Sequence, residues 1–453
     1  MKRRPEILAP AGDEASLNAA INAGADAVYF GLDGIFNARA KAAGFSIERL
    51  PEIAARCRRA RVRSYLTLNT LVFDQELPHL ESLLREIASA GIDALIVQDP
   101  AVARLAQEIC PALELHASTQ MTISSPEGAA FAEALGCRRA VLPRELSLKE
   151  IERFTAESSI EIEVFIHGAL CMSWSGQCLT SEAWGGRSAN RGKCAQSCRL
   201  PYTLVVDEEE RPLPEGLSYL LSPRDLAGFR AVEGLTEIGV HSLKIEGRYK
   251  GPSYVQSAVS SYRRWLDALE RGVEHQDEAQ LGLDLQAMSL SYSRGFSDGF
   301  FGGRDHQSLV EGYAPKHQGL FLGVVEAVED ARSVIVRVLP SPREELLTRA
   351  AEAEGKLRVS LPALGADSEA ATGPGISAPI PRAGLGVRFD QGRPEEEEPG
   401  GALLDAERLR PRASTRNTEA ALDEARWRLR FPWESNPVDR ARVGDRVWLT
   451  GDP

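Results

Sequence analysis

Short apolar runs alternate with longer segments of helical periodicity over roughly the first 250 residues of the chain. The short runs predict buried β-strands, and apolar side chains recurring every three or four positions predict amphipathic helices. The predicted strands are Glu6–Ala9, Ala27–Phe30, Arg63–Leu68, Ala94–Val97, Glu114–His116, Ala140–Leu142, Glu161–Ile166 and Ser242–Ile245. The helices between them include Glu14–Ala23, Leu77–Ala90, Pro126–Leu135 and Leu148–Ala156. Because parallel strands need crossover helices, this alternation predicts a parallel sheet.

Eight predicted strands in this length favour an α/β fold of the (β/α)8 TIM-like barrel type, with a doubly wound open sheet as the main alternative. Polar or conformationally special residues follow nearly every strand at its carboxyl end. They are Pro10, Ala11, Gly12, Gly31, Asn69, Thr70, Gln98, Asp99, Ser118, Thr119, Gln120, Arg144, Glu145, His167, Gly168, Glu246, Gly247 and Arg248. Each alone is typical of a cap or turn, but the whole series favours a barrel whose active site lies at that end.

About 75 residues separate the seventh and eighth predicted strands, far more than one helical connection needs. We expect a Cys-rich insertion over residues 168–235 at the active-site face, with a further helix near Pro223–Ala231. After the eighth strand, Gln256–Leu269 is typical of a helix that packs back onto the barrel, and Ser291–Gly303 of a lid or linker. Together these elements predict a catalytic domain over residues 1–310.

From about Lys316 the periodicity changes to two, which predicts strands of a small, mostly-β domain resembling a barrel over residues 316–453. The predicted strands are Leu320–Val325, Ser333–Val338, Leu357–Leu361, Gly386–Asp390 and Arg446–Leu449. A loop rich in Pro, Gly and Ala (Gly365–Pro381) and an acidic loop (Pro394–Gly400) interrupt them, and we expect both loops to be mobile. The sequence stops directly after a strand pattern, so a longer natural protein is kept as an alternative.

Four of the seven cysteines, Cys171, Cys178, Cys194 and Cys198, lie within 28 residues in the spacing C-x6-C-x15-C-x3-C. Thiolate sulfur is a soft ligand that suits zinc or an iron–sulfur cluster. Structural zinc sites favour close cysteine pairs, whereas clusters tolerate irregular spacing. The window therefore predicts a [4Fe-4S] cluster, with Zn²⁺ and plain core or redox thiols as alternatives. The other three cysteines, Cys57, Cys110 and Cys137, are expected to be small buried hydrophobic residues.

Two histidines, His116 and His167, end or follow predicted strands, and either suits a general base, a substrate ligand or a hydrogen-bonded interior group. Alternation places Lys244 and Glu246 on the same side of the eighth strand, either as a substrate site or as an internal salt bridge. Together with Glu145, these four residues are the catalytic candidates. The substrate-binding candidates, chosen to clamp a carboxylate or phosphate, are Arg144, Arg187, Asn190, Arg191, Arg248 and Gln120. Arg144 and Glu145 also suit an ion pair that fixes a loop.

Bulk composition narrows the class of protein. The chain has 453 residues, is 43% hydrophobic and carries a net charge of −12, which argues against a wholly basic nucleic-acid coat. The stretch from Cys171 to Leu204 nevertheless has four basic residues against one acidic residue, which is compatible with local RNA binding. The chain shows no signal-peptide core and no apolar run of about 18 residues, so we expect a cytoplasmic protein without a membrane span. The HExxH, GxSxG and Walker A motifs do not occur.

Several longer motifs together identify a family resemblance. They are EILAPAGDEASLNAAINAGADAVYFG from Glu6, LHASTQ (Leu115–Gln120), VLPREL (Val141–Leu146), FIHGALC (Phe165–Cys171), SGQC, GRSANRGKC, CRLPYTL and KIEGRYK (Lys244–Lys250). On these motifs the chain resembles the U32-type, collagenase-like peptidase family, and within it the branch that hydroxylates RNA. The resemblance covers residues 6 to about 265 and weakens into the C-terminal region, whose long insertions depart from the family pattern.

The resemblance implies O₂-independent hydroxylation at C5 of a pyrimidine in RNA, expected to be cytidine of 23S rRNA, with prephenate as the oxygen donor. It also implies a [4Fe-4S] cluster on the four cysteines. Arg144, Arg187, Arg191, Lys244 and Arg248 would then clamp the dicarboxylate. The alternatives are a collagenase-like peptidase, a tRNA uridine 5-hydroxylase, a hydroxylase of a small aromatic, and a non-catalytic zinc or RNA-binding module. The expected partners are rRNA or tRNA and prephenate. Assembly into a homo-oligomer is a further alternative.

Overall fold

The computed structural model describes residues 4–34, 36–38, 44–213, 216–272, 278–306, 309–339, 379–391, 398–409, 425–434 and 436–451. The chain divides into two compact units. The first comprises Met1–Cys198, Asp225–Asp277 and Ser297–Leu309, and the second comprises Arg199–Arg224, Glu278–Phe296 and Val310–Pro453. The second unit thus takes in two segments from within the predicted catalytic domain 1–310.

Among the described residues up to position 169, seven parallel strands alternate with six α-helices. The strands are Glu6–Pro10 (β1), Ala27–Gly31 (β2), Arg63–Leu68 (β3), Ala94–Val97 (β4), Glu114–Ala117 (β5), Cys137–Val141 (β6) and Glu161–Ala169 (β7). The helices are Glu14–Asn22 (α1), Leu50–Ala60 (α2), Leu77–Ala90 (α3), Pro100–Ile109 (α4), Pro126–Ala134 (α5) and Leu148–Glu157 (α6). Each strand pairs with the next along the chain.

The eighth barrel strand follows a long insertion. In chain order the next elements are Thr180–Gly185 (α7), Leu204–Val206 (β8), Glu209–Arg211 (β9), Asp225–Ala227 (β10), Val232–Ile238 (α8), Ser242–Ile245 (β11) and Pro252–Glu270 (α9). Strand β11 is parallel to both β7 and β1, so it closes the sheet. This closure confirms the predicted (β/α)8 barrel and rules out the open sheet.

Polar residues that follow the strands also begin the helices. Asp99 accepts a hydrogen bond from Ala101 N at the start of α4, and Ser147 accepts one from Glu150 N at the start of α6. Such caps satisfy backbone donors that the helix itself leaves open. Part of the predicted series of special residues is therefore helix-capping.

The helix predicted near Pro223–Ala231 begins later than expected, because Asp225–Ala227 forms the short strand β10 and a 3-10 turn over Phe229–Ala231 leads into α8. Strand β10 pairs antiparallel with β7, so that Asp225 lies opposite Ala169 and Ala227 opposite His167. Strand β7 runs several residues beyond its pairing with β6, which ends at Glu163. Its backbone groups beyond that point need partners, and β10 supplies them.

The second unit contains an antiparallel sheet. After Glu278–Ser291 (α10) and Phe296–Ser297 (β12), its strands are Leu320–Asp330 (β13), Ser333–Val338 (β14), Gly386–Asp390 (β15), Gly400–Ala402 (β16), Asp405–Leu409 (β17), Arg426–Arg430 (β18) and Arg446–Thr450 (β19). Strands β16 and β17 are nearly continuous, yet β16 pairs with β15 and β17 pairs with β18 at the opposite edge. One segment therefore joins both edges, as in a small barrel. The predicted strand Leu357–Leu361 and most of the two loops expected to be mobile lie outside the described residues.

Candidate functional site

The lower interior of the barrel holds a buried network of charged side chains. Lys244 Nζ lies 2.8 Å from Glu163 Oε1. Arg139 Nη1 lies 3.2 Å from Glu163 Oε2 and 2.7 Å from Glu6 Oε1. Burial raises the pKa of Glu163, but Lys244 and Arg139 outweigh burial and hold that pKa below its usual value. The structure thus places the catalytic candidate Lys244 in an internal salt bridge.

His116 lies in the same strand-lined interior and is fully buried. Its Nε2 is hydrogen-bonded to Glu114 Oε1 at 2.9 Å, and its ring packs edge-on against Tyr65 at 4.7 Å. Burial lowers the pKa of His116. His116 and Lys244 therefore both lie in the barrel interior on strands β5 and β11. The four cysteines lie outside these strands, in the segment that follows β7.

A change of register in β7 directs His167 towards helix α9. Lys244 lies opposite Phe165, but the next residue, Ile245, lies opposite His167. The His167 ring packs 5.6 Å from the rings of both Tyr254 and Tyr262. Burial lowers the pKa of His167 to about 4, so the imidazole is neutral at pH 7.

Arg248 lies at the barrel mouth and is nearly buried. Its Nη1 donates to Asn37 Oδ1 at 2.6 Å and to Thr67 Oγ1 at 2.8 Å. A Cβ at Gly31 would lie 3.1 Å from Arg248 Nη1, so a glycine leaves room for the guanidinium. The candidate Glu246 lies close by in sequence, and its Oε2 accepts a hydrogen bond from Ala169 N at 3.3 Å. These contacts hold both residues at the end of the strands.

Arg144 and Glu145 contact the start of the cysteine insertion. Arg144 Nη1 donates to Ala169 O at 2.6 Å, and its guanidinium carbon lies 3.8 Å from the centre of the Phe165 ring. Glu145 Oε1 accepts from both N and Oγ of Ser175, at 3.0 and 3.2 Å. Burial raises the pKa of Glu145. The pair therefore holds the loop around Ser175 against the barrel mouth.

The arginines of the GRSANRG motif differ in their environments. Both Nη atoms of Arg191 lie within 2.7 Å of the Glu76 carboxylate, and its guanidinium lies 4.4 Å from the Phe73 ring. The hydrogen bonds from Arg191 lower the pKa of Glu76 to about 2. Arg187 is exposed and Asn190 half-buried. Arg191 thus fixes the insertion to the loop after β3, while Arg187 is available to a ligand.

The cysteines of the insertion lie among hydrogen-bond donors. All four are free thiols, with Cys171 and Cys194 exposed and Cys178 and Cys198 half-buried. Burial raises the pKa of Cys178, but hydrogen bonds from Ser173, Thr180 and Ser181 outweigh burial and leave it below its ordinary value. Gln196 N donates to Cys194 Sγ at 3.4 Å. Amide donors of this kind surround thiolates that hold metals or clusters.

Three of these cysteines are close enough for their charges to interact. Cys171 is exposed as a residue, but desolvation of its sulfur raises its pKa, and the neighbouring Cys178 and Cys194 raise that pKa further. Over the parts of the chain that the structure describes, no three His, Cys, Asp or Glu side chains are gathered closely enough to hold a metal ion. The donor set itself, thiolates at irregular spacing with amide donors beside them, fits an iron–sulfur cluster better than zinc.

Sequence reasoning missed several residues that build these contacts, namely Glu6, Asn37, Glu76, Arg139, Glu163 and Ser175. The position of Glu163 could have been predicted, because alternation along β7 places it on the same side of the strand as Phe165. The contacts of Glu76 and Ser175 could not have been predicted, since their partners Arg191 and Glu145 are distant in sequence.

The profile of peptidase family U32 matches residues 12–311, which is well over half of the chain. This chain belongs to the peptidase family U32. The U32 profile spans β2 to β7, the cysteine insertion and β11. It therefore includes every candidate site residue named above.

Relatives of this U32 protein carry three kinds of name. It is 40% identical over 342 residues to the 23S rRNA 5-hydroxycytidine C2501 synthase of Escherichia coli K12, covering 74% of this chain and 50% of that protein. It is 38% identical over 311 residues to a collagenase of Porphyromonas gingivalis W83, covering 66% and 74%. It is 36% identical over 270 residues to tRNA hydroxylation protein P1 of Bacillus subtilis 168, covering 59% and 64%. The chain thus spans half the length of the rRNA synthase.

Solved structures give weaker matches. The U32 peptidase Mk0906 aligns with a TM-score of 0.33 and 14% identity, over 37% of this chain and 70% of that one. Among the helices that the structure describes in this U32 protein, none has both the length and the apolar character needed to cross a membrane.

Proposed function

We propose that this U32 protein is an RNA-modifying enzyme that adds a hydroxyl at C5 of a pyrimidine, with cytidine of 23S rRNA as the target. The single observation that carries the proposal is the similarity to the 23S rRNA synthase at 40% identity over 342 residues. The similarity to tRNA hydroxylation protein P1 supports RNA hydroxylation in general and keeps a tRNA uridine as the second target. The proposed location is the cytoplasm, which fits an rRNA or tRNA substrate.

The proposed cofactor is a [4Fe-4S] cluster held by Cys171, Cys178, Cys194 and Cys198. When bound, such a cluster supplies one-electron redox chemistry. The hydrogen bonds from Gln196 N to Cys194 and from the donors around Cys178 would stabilise the thiolate form of these ligands. The proposed oxygen donor is prephenate, a dicarboxylate that a cationic side chain such as Arg248 would bind.

The surface of the cysteine insertion supports an RNA substrate. Trp174 is 44% exposed and Trp184 is 62% exposed. Arg187 and Lys193 are exposed on the same segment. Bases of single-stranded RNA stack on exposed aromatic rings, and basic side chains bind the phosphates. A base extruded from its stack would then enter the barrel mouth beside this surface.

The experiment that tests this function uses protein purified without oxygen. The protein is incubated with 23S rRNA from a strain that lacks the gene, with and without prephenate, and the nucleosides are separated by mass spectrometry. We expect 5-hydroxycytidine to form only when prephenate is present. Unmodified rRNA, together with hydroxylated uridine in parallel tRNA reactions, would move the assignment to tRNA, and no hydroxylated nucleoside in either RNA would contradict it.

Cys194→Ser tests the proposed cofactor. Loss of one thiolate ligand should lower both iron and acid-labile sulfide in the purified protein well below the wild-type content. The matched control is Cys110→Ser, a cysteine outside the insertion, which should leave both contents unchanged. Full iron and sulfide content in Cys194→Ser would overturn the cluster assignment, and one zinc without iron would favour a structural zinc module.

Peptidase activity is the second candidate function, favoured by the similarity to the Porphyromonas gingivalis collagenase. The environment of His167 speaks against its use as a general base, because the ring is buried against two tyrosines and its pKa is lowered to about 4. Cleavage of gelatin by homogeneous protein, abolished in Glu145→Gln, would favour this function.

A further inference from the structure

Four buried polar atoms without a hydrogen-bond partner lie at the carboxyl ends of three neighbouring strands. They are Gln98 Oε1 after β4, Thr119 Oγ1 after β5, and Arg144 Nε and Glu145 Oε2 after β6. Buried polar atoms are nearly always hydrogen-bonded, because an unpaired one has lost its water without replacement. A run of four at the active-site end of a barrel therefore points to a ligand.

Hydrogen bonds and one close backbone approach connect Gln98, Gln120 and Glu145. Gln98 Nε2 donates to Gln120 O at 3.3 Å. A Cβ at Gly176 would lie 2.7 Å from that same oxygen, so the insertion passes directly over it. The preceding residue, Ser175, holds Glu145 by two hydrogen bonds. The loop of Ser175 and Gly176 thus lies against the residues that follow β5 and β6, and Gln98 after β4 joins them through Gln120.

Gln98 is held with its side-chain oxygen buried and without a hydrogen-bond partner. Ala94 and Ile96 belong to the apolar cluster inside the barrel, so alternation along β4 places Gln98 on the same inner side. Its side chain is only 6% exposed. Because Nε2 already donates to Gln120 O, the amide orientation is fixed and Oε1 can act only as an acceptor.

We infer that Gln98, Thr119, Arg144 and Glu145 bind the Watson–Crick edge of the target base and select cytosine over uracil. This inference rests on the proposed RNA substrate. The exocyclic amine of cytosine would donate to Gln98 Oε1, and its ring carbonyl would accept from Arg144 Nε. Uracil presents a carbonyl oxygen in place of that amine. This oxygen would face the Gln98 oxygen, and two acceptors cannot form a hydrogen bond.

The same chemistry disfavours an anion in this site. A carboxylate or phosphate brings only acceptors, and it would meet the acceptor atoms of Gln98 and Glu145. The mixed donor and acceptor set suits a neutral heterocycle that carries both kinds of group. Prephenate is therefore expected to bind elsewhere in the mouth.

The test measures binding of three single-stranded RNA oligonucleotides that differ only in one central nucleotide, which is cytidine, uridine or abasic. The wild-type protein, purified with its cluster, should bind the cytidine RNA about tenfold more tightly than the uridine RNA. Gln98→Met has nearly the same volume but lacks the acceptor, and it should reduce this ratio to below about twofold. Binding of the abasic RNA should not change, since phosphate contacts are retained.

Thr119→Val provides a second variant and a readout of folding. Valine matches threonine in shape and removes a hydroxyl without a protein partner, so the urea midpoint should stay the same or rise. The cytidine-to-uridine ratio should still fall. Ser158→Ala is the matched control, because Ser158 Oγ is also buried without a partner but lies at the end of α6. It should leave the ratio unchanged.

The outcomes separate this inference from the proposed function. Wild-type protein that binds and hydroxylates RNA, with Gln98→Met and Thr119→Val retaining the full base preference, would overturn the inference and leave the function standing. Variants that keep the ratio but weaken prephenate binding in calorimetry would identify an anion site instead. Wild-type protein that neither binds nor modifies RNA would overturn both.

Discussion

Lys244 and Arg191 are held in ion pairs, whereas Arg144 and Glu145 each keep one buried polar atom without a hydrogen bond. The Lys244–Glu163 pair is buried, and the Arg191–Glu76 pair is partly exposed. Removing one partner of the buried pair would leave an uncompensated charge in the barrel. At the scale of single residues, we therefore expect substrate chemistry from the side chains at the strand ends.

His167 should make the fold sensitive to acid. Its pKa is about 4 in the folded protein and 6.5 in the unfolded chain, so the unfolded state binds the proton first as pH falls. Stability is therefore fully present above pH 6.5 and is lost as pH falls towards 4. The difference corresponds to roughly 3 kcal/mol in the free energy of unfolding. Urea denaturation of the wild type at pH 7 and pH 4 measures it.

His167→Gln supplies the comparison for this acid effect. Glutamine does not titrate in this range, so the variant should lose about 3 kcal/mol less than the wild type between pH 7 and pH 4. His79→Gln, which changes a histidine in helix α3, is the control and should follow the wild type. Equal losses in His167→Gln and the wild type would refute the role of His167.

Strand β7 shows how far the sequence predicts the elements of this fold. Its start at Glu161 and the closure of the barrel were predictable, because apolar runs and crossover helices repeat regularly. Its extension to Ala169, the shift of register that turns His167 outward and its pairing with β10 were not, because they depend on residues 56 or more positions apart. The cysteine window was recognised from spacing, whereas the Ser175 contacts that support it had no local signal.

Gly176 should be essential to the loop that joins the cysteine insertion to the barrel mouth. Its φ is +83°, and an added Cβ would lie 2.7 Å from Gln120 O. Gly176→Ala should therefore destabilise the protein by about 1–3 kcal/mol and lower its iron content. Denaturation and metal analysis of protein purified without oxygen measure both effects.

Gly185→Ala is the matched control for Gly176. It lies at the end of α7, where a Cβ would meet nothing within 4 Å, so the substitution should leave stability and iron content near the wild type. If Gly176→Ala behaved like Gly185→Ala, the loop would not depend on this close approach.

The whole molecule is acidic, with a net charge of −12, but the stretch from Cys171 to Leu204 is basic. Because an acidic body repels RNA, we expect attraction where basic residues outnumber acidic ones, and this stretch also carries the exposed tryptophans. The U32 profile covers this stretch and the barrel, while the antiparallel sheet of the second unit lies largely beyond residue 311. The RNA contact is therefore expected on the first unit.

Removing charge from this stretch should weaken RNA binding in a salt-dependent way. Each phosphate contact on a single strand contributes about 0.7 to the slope of log affinity against log salt concentration. The double variant Arg187→Ala with Lys193→Ala should therefore reduce that slope by about 1.4. Lys149→Ala with Arg153→Ala changes the same charge on α6 and should leave the slope unchanged. Equal slopes in both double variants would contradict the prediction that RNA contacts the insertion.

The most direct measurement of the central claim is the nucleoside profile of cellular RNA. 23S rRNA and tRNA from a strain lacking this gene are digested and analysed separately by mass spectrometry, with wild type and Cys194→Ser restored on plasmids. We predict that 5-hydroxycytidine disappears from 23S rRNA, returns with the wild-type gene and does not return with Cys194→Ser. An unchanged level of 5-hydroxypyrimidines in both RNAs of the deletion strain would contradict the assignment of this U32 protein as an RNA hydroxylase.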